Sequence, residues 1–306
     1  MGIEASNQNQ TTNIFPYLAL ITGILALSFS AMFVRWADAP GPITGLYRVF
    51  LSTIILTPLV TWRGIKKGIL TSSTLVFPIL AGLFTAGDFA LWNTSVLYTT
   101  AANATLLGNT APFWVALGAW LLFREKLASR FWIGLGLALA GATLILGTDF
   151  IMHPRLGIGD LMAIGTGIFY GGYFLSTQQS RLYYSPLMHL WLMGVTAILV
   201  LFVINIVLKN PFFGYSTQTW LAFLGTALVS QIFGYLSMTY ALGHLPASVV
   251  APTMIGQPIT TALLAIPLLG EIPTLLQIGG GVIALTGIYI VNQSHNRSRR
   301  KSSPLK

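Results

Sequence analysis

The chain has 306 residues, of which 54% are hydrophobic and only 8% are charged. A soluble domain of this length needs far more charge on its surface, so the composition excludes a soluble protein and favours a membrane protein. The formal net charge of +9 does not indicate nucleic-acid binding, because the basic residues are concentrated on one set of loops. The sequence contains no cysteine, which excludes disulfides, thiol chemistry and thiolate metal ligands.

Ten apolar runs follow one another along the chain, each of about 18–22 residues and therefore long enough to cross a bilayer as a helix. The runs are continuous rather than alternating in polarity, which predicts helices and not the strands of a membrane barrel. The predicted fold is an all-α membrane protein with ten transmembrane helices. The predicted spans are 15–35, 42–62, 74–97, 101–123, 130–147, 159–180, 186–207, 217–241, 247–269 and 273–292.

The second half of the chain echoes the first half at an offset of 146 residues. At this offset Pro112 matches Pro258 and Glu125 matches Glu271. The glycine matches are Gly134 with Gly280 and Gly141 with Gly287. Because five spans is an odd number, consecutive copies must enter the bilayer in opposite orientations, and such inverted repeats are typical of secondary transporters. We therefore predict two inverted five-helix repeats, residues 15–147 and 159–292, that form one integral membrane unit.

Lys and Arg are distributed unequally between the two sides of the predicted bundle. Only Arg35, Arg155 and Lys209 lie on one side. The other side carries Arg63, Lys66, Lys67, Arg124, Lys126, Arg130, Arg181, Arg297, Arg299, Arg300, Lys301 and Lys306. The positive-inside rule then puts both termini in the cytoplasm, with the basic tail as a topology anchor that can also contact anionic lipid. We expect a multi-pass protein of a bacterial plasma (inner) membrane, whose first span is retained because residues 1–14 lack the basic start of a signal peptide.

Arg48 and Asp88 are the two ionisable side chains clearly inside predicted spans, where a charge is costly and marks a candidate functional site. At 1.5 Å per helical residue, they lie roughly 9 Å and roughly 13 Å from the outer ends of their spans. At these similar depths the two side chains can pair, directly or through water. Two interpretations remain open: a structural ion pair that joins two helices, and a substrate-facing role for at least one of the two residues.

Other polar and aromatic residues lie at a similar depth in both repeats. Trp92 is one helical turn from Asp88 on the same face, and Gln231 and Tyr235 share a face of the eighth span. Each aromatic residue taken singly can be explained by packing, but as a set they predict an amphipathic cavity wall. The predicted substrate-binding residues are Arg48, Asp88, Trp92, Asn109, Tyr170, Tyr173, Gln231, Tyr235 and Gln257.

Pro112 and Pro258 lie near the middle of the matching fourth and ninth spans. Proline removes a backbone donor and clashes with the preceding turn, so each is predicted to interrupt its helix and leave a carbonyl group free. Their matching positions suggest a gating role, in which the two kinks shape openings on opposite sides of the membrane.

No feature of the sequence predicts catalysis. His189 lies about three residues inside the seventh span and is interpreted as an interfacial histidine rather than a proton relay. No His, Asp and Glu cluster has metal-ligand spacing, no nucleophile–base pair stands out, and no glycine-rich stretch has the spacing of a phosphate loop. We therefore predict a protein that is not an enzyme and that has no catalytic residue, no metal and no cofactor.

Several stretches resemble the EamA family of the drug/metabolite transporter superfamily. They are Ser28–Ser30, Phe33–Arg35, Pro42, Arg48, Asp88–Trp92, Tyr98–Ala104, Asn109–Pro112, Arg124–Leu127, Leu245–Ser248, Pro258 and Glu271. The resemblance covers residues 15 to 292 and rests on the order, spacing and duplication of these stretches. It implies a ten-helix inverted-repeat bundle that moves small metabolites, often outward, and it implies no particular substrate.

These observations predict a secondary transporter with a central cavity, an exporter of a small metabolite such as an amino acid that works by alternating access. Its partners would be a small-molecule substrate and the lipid bilayer, without nucleic acid, and either a monomer or a homodimer is compatible with the sequence. One alternative is an intramembrane enzyme that acts on a lipid-linked substrate, which needs acid, base or metal ligands near one interface. Another is an accessory or sensory membrane protein that transports nothing.

Overall fold

The fold consists of helices that follow the apolar runs of the sequence. The computed structural model describes residues 14–62, 72–98, 107–146, 157–269 and 274–302, and within these ranges it contains no strand. The α-helices are α1 Phe15–Ser28, α2 Ser30–Ala37, α3 Gly41–Trp62, α4 Ser72–Tyr98, α5 Ala111–Phe123, α6 Ser129–Leu146, α7 Ile158–Ser180, α8 Pro186–Val207, α9 Thr217–Gly225, α10 Leu236–Leu242, α11 Ala247–Thr253, α12 Gly256–Leu269 and α13 Leu275–Ser302. A π-helical segment, Thr226–Tyr235, joins α9 to α10.

Seven helices in the described residues are long and apolar enough to cross a membrane. They are Phe15–Val34, Gly41–Trp62, Ser73–Ser95, Ile158–Ser180, Pro186–Val207, Thr217–Leu242 and Leu275–His295. Shorter apolar helices lie at Ala111–Phe123 and Ser129–Leu144. The all-helical, multi-pass membrane class is therefore confirmed. The predicted fourth span includes residues 101–106, which lie outside the described ranges.

The prolines of the fourth and ninth spans lie in the first turns of helices, not at kinks inside continuous ones. A turn at residues 109–110 precedes α5, in which Pro112 is the second residue, and a turn at 254–255 precedes α12, in which Pro258 is the third. The first turn of a helix has backbone N–H groups without intrahelical partners, so a proline there sacrifices no hydrogen bond. The two interruptions nonetheless lie at equivalent places in the two halves of the chain.

Helices α6 and α13 pack closely because glycines lie at their contact. A Cβ atom built on Gly134 would lie only 2.9 Å from the carbonyl oxygen of Gly287, and one built on Gly141 would lie 2.5 Å from that of Gly280. Small residues at such contacts allow membrane helices to approach backbone to backbone. Residue numbers rise along one helix as they fall along the other, so α6 and α13 are antiparallel.

Hydrogen bonds from indole and amide groups join α3 to α8. Trp191 Nε1 donates to Thr57 Oγ1 (3.0 Å), and Asn205 Nδ2 donates to the carbonyl oxygen of Pro42 (3.0 Å). These contacts also run in opposite order along the two helices, which are therefore antiparallel. The largest cluster of buried apolar side chains draws on α1, α3, α4, α5, α7, α8, the π-helical segment, α10 and α11, so the core lies where these elements meet.

Candidate functional site

Arg48, on α3, is buried in the centre of the bundle, with 7% of its surface exposed. Its Nε donates a hydrogen bond to Gln231 Oε1 (2.8 Å), and its Nη1 donates one to Ser30 Oγ (3.0 Å). The remaining nitrogen, Nη2, is buried and has no hydrogen-bond partner among the residues that the structure describes. Buried polar groups are normally paired, so one N–H-bearing nitrogen without a partner is an exception that calls for an explanation.

Two aromatic rings flank the Arg48 guanidinium group. Its Cζ lies 4.5 Å from the ring centroid of Phe89 and 5.1 Å from that of Tyr235. The two rings are themselves in edge contact, with centroids 6.1 Å apart. Aromatic faces attract a cation, and the attraction grows when water is excluded, so the rings help to stabilise a buried positive charge.

Asp88 belongs to the same cluster but does not form a direct ion pair with Arg48. The side chain is 7% exposed, and Asp88 directly precedes Phe89, whose ring lies 4.5 Å from Arg48 Cζ. In the part of the chain that the structure describes, Asp88 makes no side-chain hydrogen bond and no ion pair. The direct pairing considered from the sequence is therefore absent, because Gln231 and Ser30 engage two of the Arg48 nitrogens.

Tyr170 and Tyr173, on α7, complete the cluster. Their rings stack with centroids 6.0 Å apart, and the ring of Tyr173 lies 5.2 Å from that of Tyr235. The Tyr173 hydroxyl group is 3.5 Å from Thr239 Oγ1. The residues predicted from the sequence as substrate-binding thus divide into groups, and the structure brings six of them into one cluster. This central cluster consists of Arg48, Asp88, Tyr170, Tyr173, Gln231 and Tyr235, together with Ser30 and Phe89.

Trp92, on α4, packs against Gly108, and Asn109 lies in the turn that precedes α5. A Cβ atom built on Gly108 would lie 3.5 Å from Trp92 Cδ1 and 3.3 Å from Thr166 Cγ2, so Trp92 approaches α7 through this glycine. Thr166 lies one helical turn from Tyr170, and its buried hydroxyl oxygen has no hydrogen-bond partner within the described ranges. Trp92 and Asn109 are half-buried.

Gln257 contacts helix α1 rather than Arg48. The side-chain Nε2 of Gln257 donates to the backbone carbonyl oxygen of Leu27 (3.2 Å). The backbone carbonyl oxygen of Gln257 accepts a hydrogen bond from Ser28 Oγ (3.3 Å). These bonds hold the last turn of α1, directly before the break at Phe29 that separates α1 from α2. Gln257 therefore supports the position of Ser30, the first residue of α2, instead of lining the cluster itself.

Both Gln231 and Tyr235 lie in the π-helical segment. π-helical turns are rare, occur mostly as short insertions in α-helices and are frequent at functional sites. The sequence predicted that these two residues share one face of an α-helix, and it did not predict the π-helix. Ser30, Phe89 and Thr166 were not among the predicted residues, although Ser30 belongs to the stretch Ser28–Ser30 and Phe89 directly follows Asp88.

His189 lies near the start of α8, close to the predicted boundary, but it is fully buried by protein. Its Nε2 lies 3.2 Å from Thr177 Oγ1, and its Nδ1 lies 2.7 Å from Ser180 Oγ. The depth estimated from the span boundary was small, but the side chain points between α7 and α8 rather than towards water. Both ring nitrogens have hydroxyl partners, which is the pattern of a structural buried histidine.

The short helix α11 closes one end of the bundle. Three hydrogen bonds hold it: the Ala247 backbone N–H donates to Gln178 Oε1 (2.6 Å), Ser248 Oγ donates to Glu125 Oε1 (2.7 Å), and Asn292 Nδ2 donates to Thr253 Oγ1 (3.1 Å). Arg181, which follows α7, donates to the carbonyl oxygens of Thr239 and Tyr184 at the same end. Partial burial lowers the pKa of Arg181, while Tyr240 acts in the opposite direction.

The chain was compared with known protein families and with individual relatives. A model of the EamA-like transporter family matches it twice, over residues 14–147 and 157–293. An uncharacterized transporter of Archaeoglobus fulgidus is 28% identical over 259 residues, which cover 82% of this chain and 87% of that protein. The uncharacterized transporter YdfC of Bacillus subtilis is 23% identical over 290 residues, which cover 90% of this chain and 93% of that protein.

The fold also resembles a solved structure. A crystal structure with 16% sequence identity superposes with a TM-score of 0.74, covering 91% of this chain and 97% of that chain. At this low identity the likeness shows a shared fold and carries no information on the substrate.

Proposed function

Since the chain belongs to the EamA-like transporter family, we propose that it is a secondary transporter that exports a small metabolite, such as an amino acid, by alternating access. The observation that carries the proposal is the buried cation Arg48, which is held by Ser30 from one half of the chain and Gln231 from the other. A charge inside a membrane protein is costly and marks a substrate or ion pathway. Its place between the two halves is where repeat-built transporters bind substrate.

The packing of α6 against α13 supports an arrangement of ten helices in two inverted five-helix repeats, residues 15–147 and 159–292. The sequence offset relates Gly134 to Gly280 and Gly141 to Gly287. In space, Gly134 approaches Gly287, and Gly141 approaches Gly280. This crosswise contact between antiparallel helices is what a two-fold axis in the membrane plane produces. The family model matches the chain twice, once in each half, and this also supports the arrangement in two repeats.

The two interrupted helices supply the movable elements of the proposed cycle. In the second half, α11 precedes the break and closes one end of the bundle, while Pro258 starts the helix after it. In the first half, Pro112 has the matching position at the start of α5. Under the proposed mechanism, each segment before a break opens and closes its own side, and the prolines fix where the following helix begins.

The proposed location is a bacterial plasma membrane, with both termini and the α11 end facing the cytoplasm. The support is the skew of Lys and Arg towards that side. Reporter fusions at Lys306 and in the loop 147–158 test this orientation, because the two positions are separated by five spans and should lie on opposite sides. Reports from the same side would contradict the inverted arrangement.

An export profile tests the function directly. Metabolites released by cells that express the wild-type protein, Arg48→Gln or Arg130→Gln are compared with those released by cells without the protein. Arg130 is exposed on α6, so its variant controls for the loss of one positive charge. We expect at least one compound to be released faster with wild type and Arg130→Gln but not with Arg48→Gln. Equal release from all four strains would contradict transport and would leave an accessory membrane protein as the better description.

A further inference from the structure

We propose that side-chain hydrogen bonds to Glu125, Gln178 and Asn292 hold helix α11 in place and have no equivalent at the opposite gate, so that the α11 end of the bundle is closed at rest. The inference rests on the proposed transport function and adds which of the two gates is held shut and by which residues. It starts from the contacts of α11, whose residues 247–252 are buried at this end of the bundle.

Helix α11 is too short to be stable by itself. It has only seven residues, Ala247–Thr253, and isolated helices shorter than about 12 residues are marginal in water. Two hydrogen bonds hold its start: the Ala247 N–H donates to Gln178 Oε1 (2.6 Å), and Ser248 Oγ donates to Glu125 Oε1 (2.7 Å). The acceptors lie on α7 and in the connection between α5 and α6. The start of α11 therefore cannot move away from these elements without losing both bonds.

The end of α5 fixes the backbone of Glu125. Arg124 has the left-handed conformation that ends many helices (φ 52°). The N–H groups of Arg124 and Glu125 both donate to the carbonyl oxygen of Ala119, within α5. A carboxylate that is attached to an ordered backbone loses less conformational entropy when it accepts the hydroxyl group of Ser248. Since Glu125 belongs to the first half of the chain and Ser248 to the second, this bond joins the two halves.

The bonds at the start of α11 have no counterpart in the sequence of the opposite gate. The 146-residue offset relates the residues of these bonds to residues of the other half: Glu125 to Glu271, Ser248 to Ala102, and Gln178 to Met32. An alanine side chain has no polar group, and a methionine sulfur is only a weak acceptor. The acidic residue is thus present in both halves, whereas the hydroxyl and amide groups are present in only one.

The other end of α11 shows the same asymmetry. Asn292 Nδ2, on α13, donates to Thr253 Oγ1 (3.1 Å). The offset gives leucine at both matching positions, Leu146 and Leu107, and leucine forms no side-chain hydrogen bond. The side-chain bonds that hold α11 are therefore specific to one gate. Interactions made in only one of two conformations shift the population towards it, here towards the conformation in which the α11 end is closed.

A buried cysteine reports which gate is open. Thr239→Cys places the thiol between the central cluster and the α11 end, because the Thr239 hydroxyl group lies 3.5 Å from that of Tyr173 and its carbonyl oxygen accepts a hydrogen bond from Arg181 Nε (3.0 Å). Thr239 is fully buried, and the native chain has no cysteine. The full-length protein in sealed membrane vesicles of either orientation is treated with a membrane-impermeant maleimide. Labelling from each side is expressed per amount of folded protein.

With all other residues wild type, we expect the thiol at position 239 to be labelled faster from the side opposite α11. Ser248→Ala and Glu125→Ala should each raise labelling from the α11 side about fivefold, the factor by which the loss of one ordinary hydrogen bond shifts an equilibrium. Combining them should add little, because both changes remove the same bond. Glu125→Gln keeps an acceptor oxygen and should label like wild type, which provides a folded comparison if Glu125→Ala is unstable.

Ser185→Ala is the matched control. It also removes a serine hydrogen bond at the start of a helix, since Ser185 Oγ accepts from the Met188 N–H (3.3 Å), but the helix is α8 and not α11. We expect it to leave labelling from both sides unchanged.

The proposal is overturned if the thiol is labelled faster from the α11 side without further changes, if either Ser248→Ala or Glu125→Ala leaves labelling from that side unchanged, or if Ser185→Ala raises it as much. The export profile is an independent measurement. A protein that exports a compound but shows no change in labelling retains the transport function without this closing device. A protein whose labelling changes as expected but that exports nothing retains the closing device and loses the proposed function.

Discussion

Two clusters of buried polar side chains lie within the same bundle and differ in how their polar groups are paired. Around His189, both ring nitrogens have hydroxyl partners, Thr177 and Ser180. Around Arg48, one nitrogen has no partner, and the nearby Asp88 makes no hydrogen bond within the described residues. The side chains of both clusters are buried, so burial alone does not distinguish the two clusters.

The difference indicates that the clusters have different roles. A polar network whose members are all paired contributes rigidity, and removing one member leaves its partners unsatisfied. A charged group that is held in place but not fully paired contributes little to stability and retains the capacity to bind something else. We infer that the His189 cluster is structural and that the Arg48 cluster binds substrate, and the following changes test this contrast.

The largest expected effect is the loss of transport in Arg48→Gln. Glutamine can still bond to Gln231, so the folded protein should be recovered in near wild-type amount. The substrate loses a charge-assisted hydrogen bond, which should lower the initial rate of export by about tenfold or more. The measurement is export per amount of folded protein. Export at the wild-type rate would show that Arg48 is not part of the substrate site.

His189→Leu should have the reverse effect. It removes the His189 partner of the buried hydroxyl groups of Thr177 and Ser180, at a cost of about 1–3 kcal/mol for a group left unpaired. We expect a lower Tm and less folded protein by size-exclusion chromatography. The molecules that fold should export at the wild-type rate. His189→Gln, which keeps hydrogen-bonding groups, should be less harmful, and a strong loss of export without a change in Tm would contradict the structural role.

A smaller effect, on stability, is expected from combining Arg48→Gln with Asp88→Asn. A direct buried ion pair leaves an uncompensated charge when one partner is removed, so the double variant would recover much of the stability lost in each single variant. The two side chains are not directly paired here, so the coupling energy should be below about 1 kcal/mol. The coupling energy is obtained from the Tm values of the wild type, the two single variants and the double variant. Nearly complete recovery would show that the two residues pair directly.

The smallest effect on stability is expected for Pro112→Ala and Pro258→Ala. Both prolines lie in the first turn of a helix, where replacement restores a donor that has no intrahelical acceptor, so the change in stability should stay below about 1 kcal/mol. If the prolines fix the breaks used in gating, each variant should change the labelling of a cysteine introduced at one mouth only. Unchanged labelling and export in both variants would show that the two prolines serve packing and not gating.

The sequence was most informative where a polar side chain is exceptional in its surroundings. Arg48 and Asp88 could be identified because charges inside apolar spans are rare. Ser30 could not, because serine is common in membrane helices and nothing at Phe29 predicts that α1 ends there. His189 shows another limit of sequence-based prediction: a distance along a helix gives the depth of a residue, but not the direction of its side chain. The π-helical segment likewise has no signal in its amino-acid sequence.

Cysteine protection tests most directly whether the central cluster is the substrate site, because the native chain has no cysteine. Ser30→Cys places a thiol beside Arg48, and Ser180→Cys places one beside His189; both serines are buried. Labelling by a small thiol reagent is measured in membranes, with and without the compound found in the export profile. We predict that the thiol at position 30 is labelled and that the compound slows its labelling, while the thiol at position 180 reacts slowly and is unaffected. Equal protection at both positions, or protection at position 180 alone, would contradict the assignment of the substrate to the Arg48 cluster.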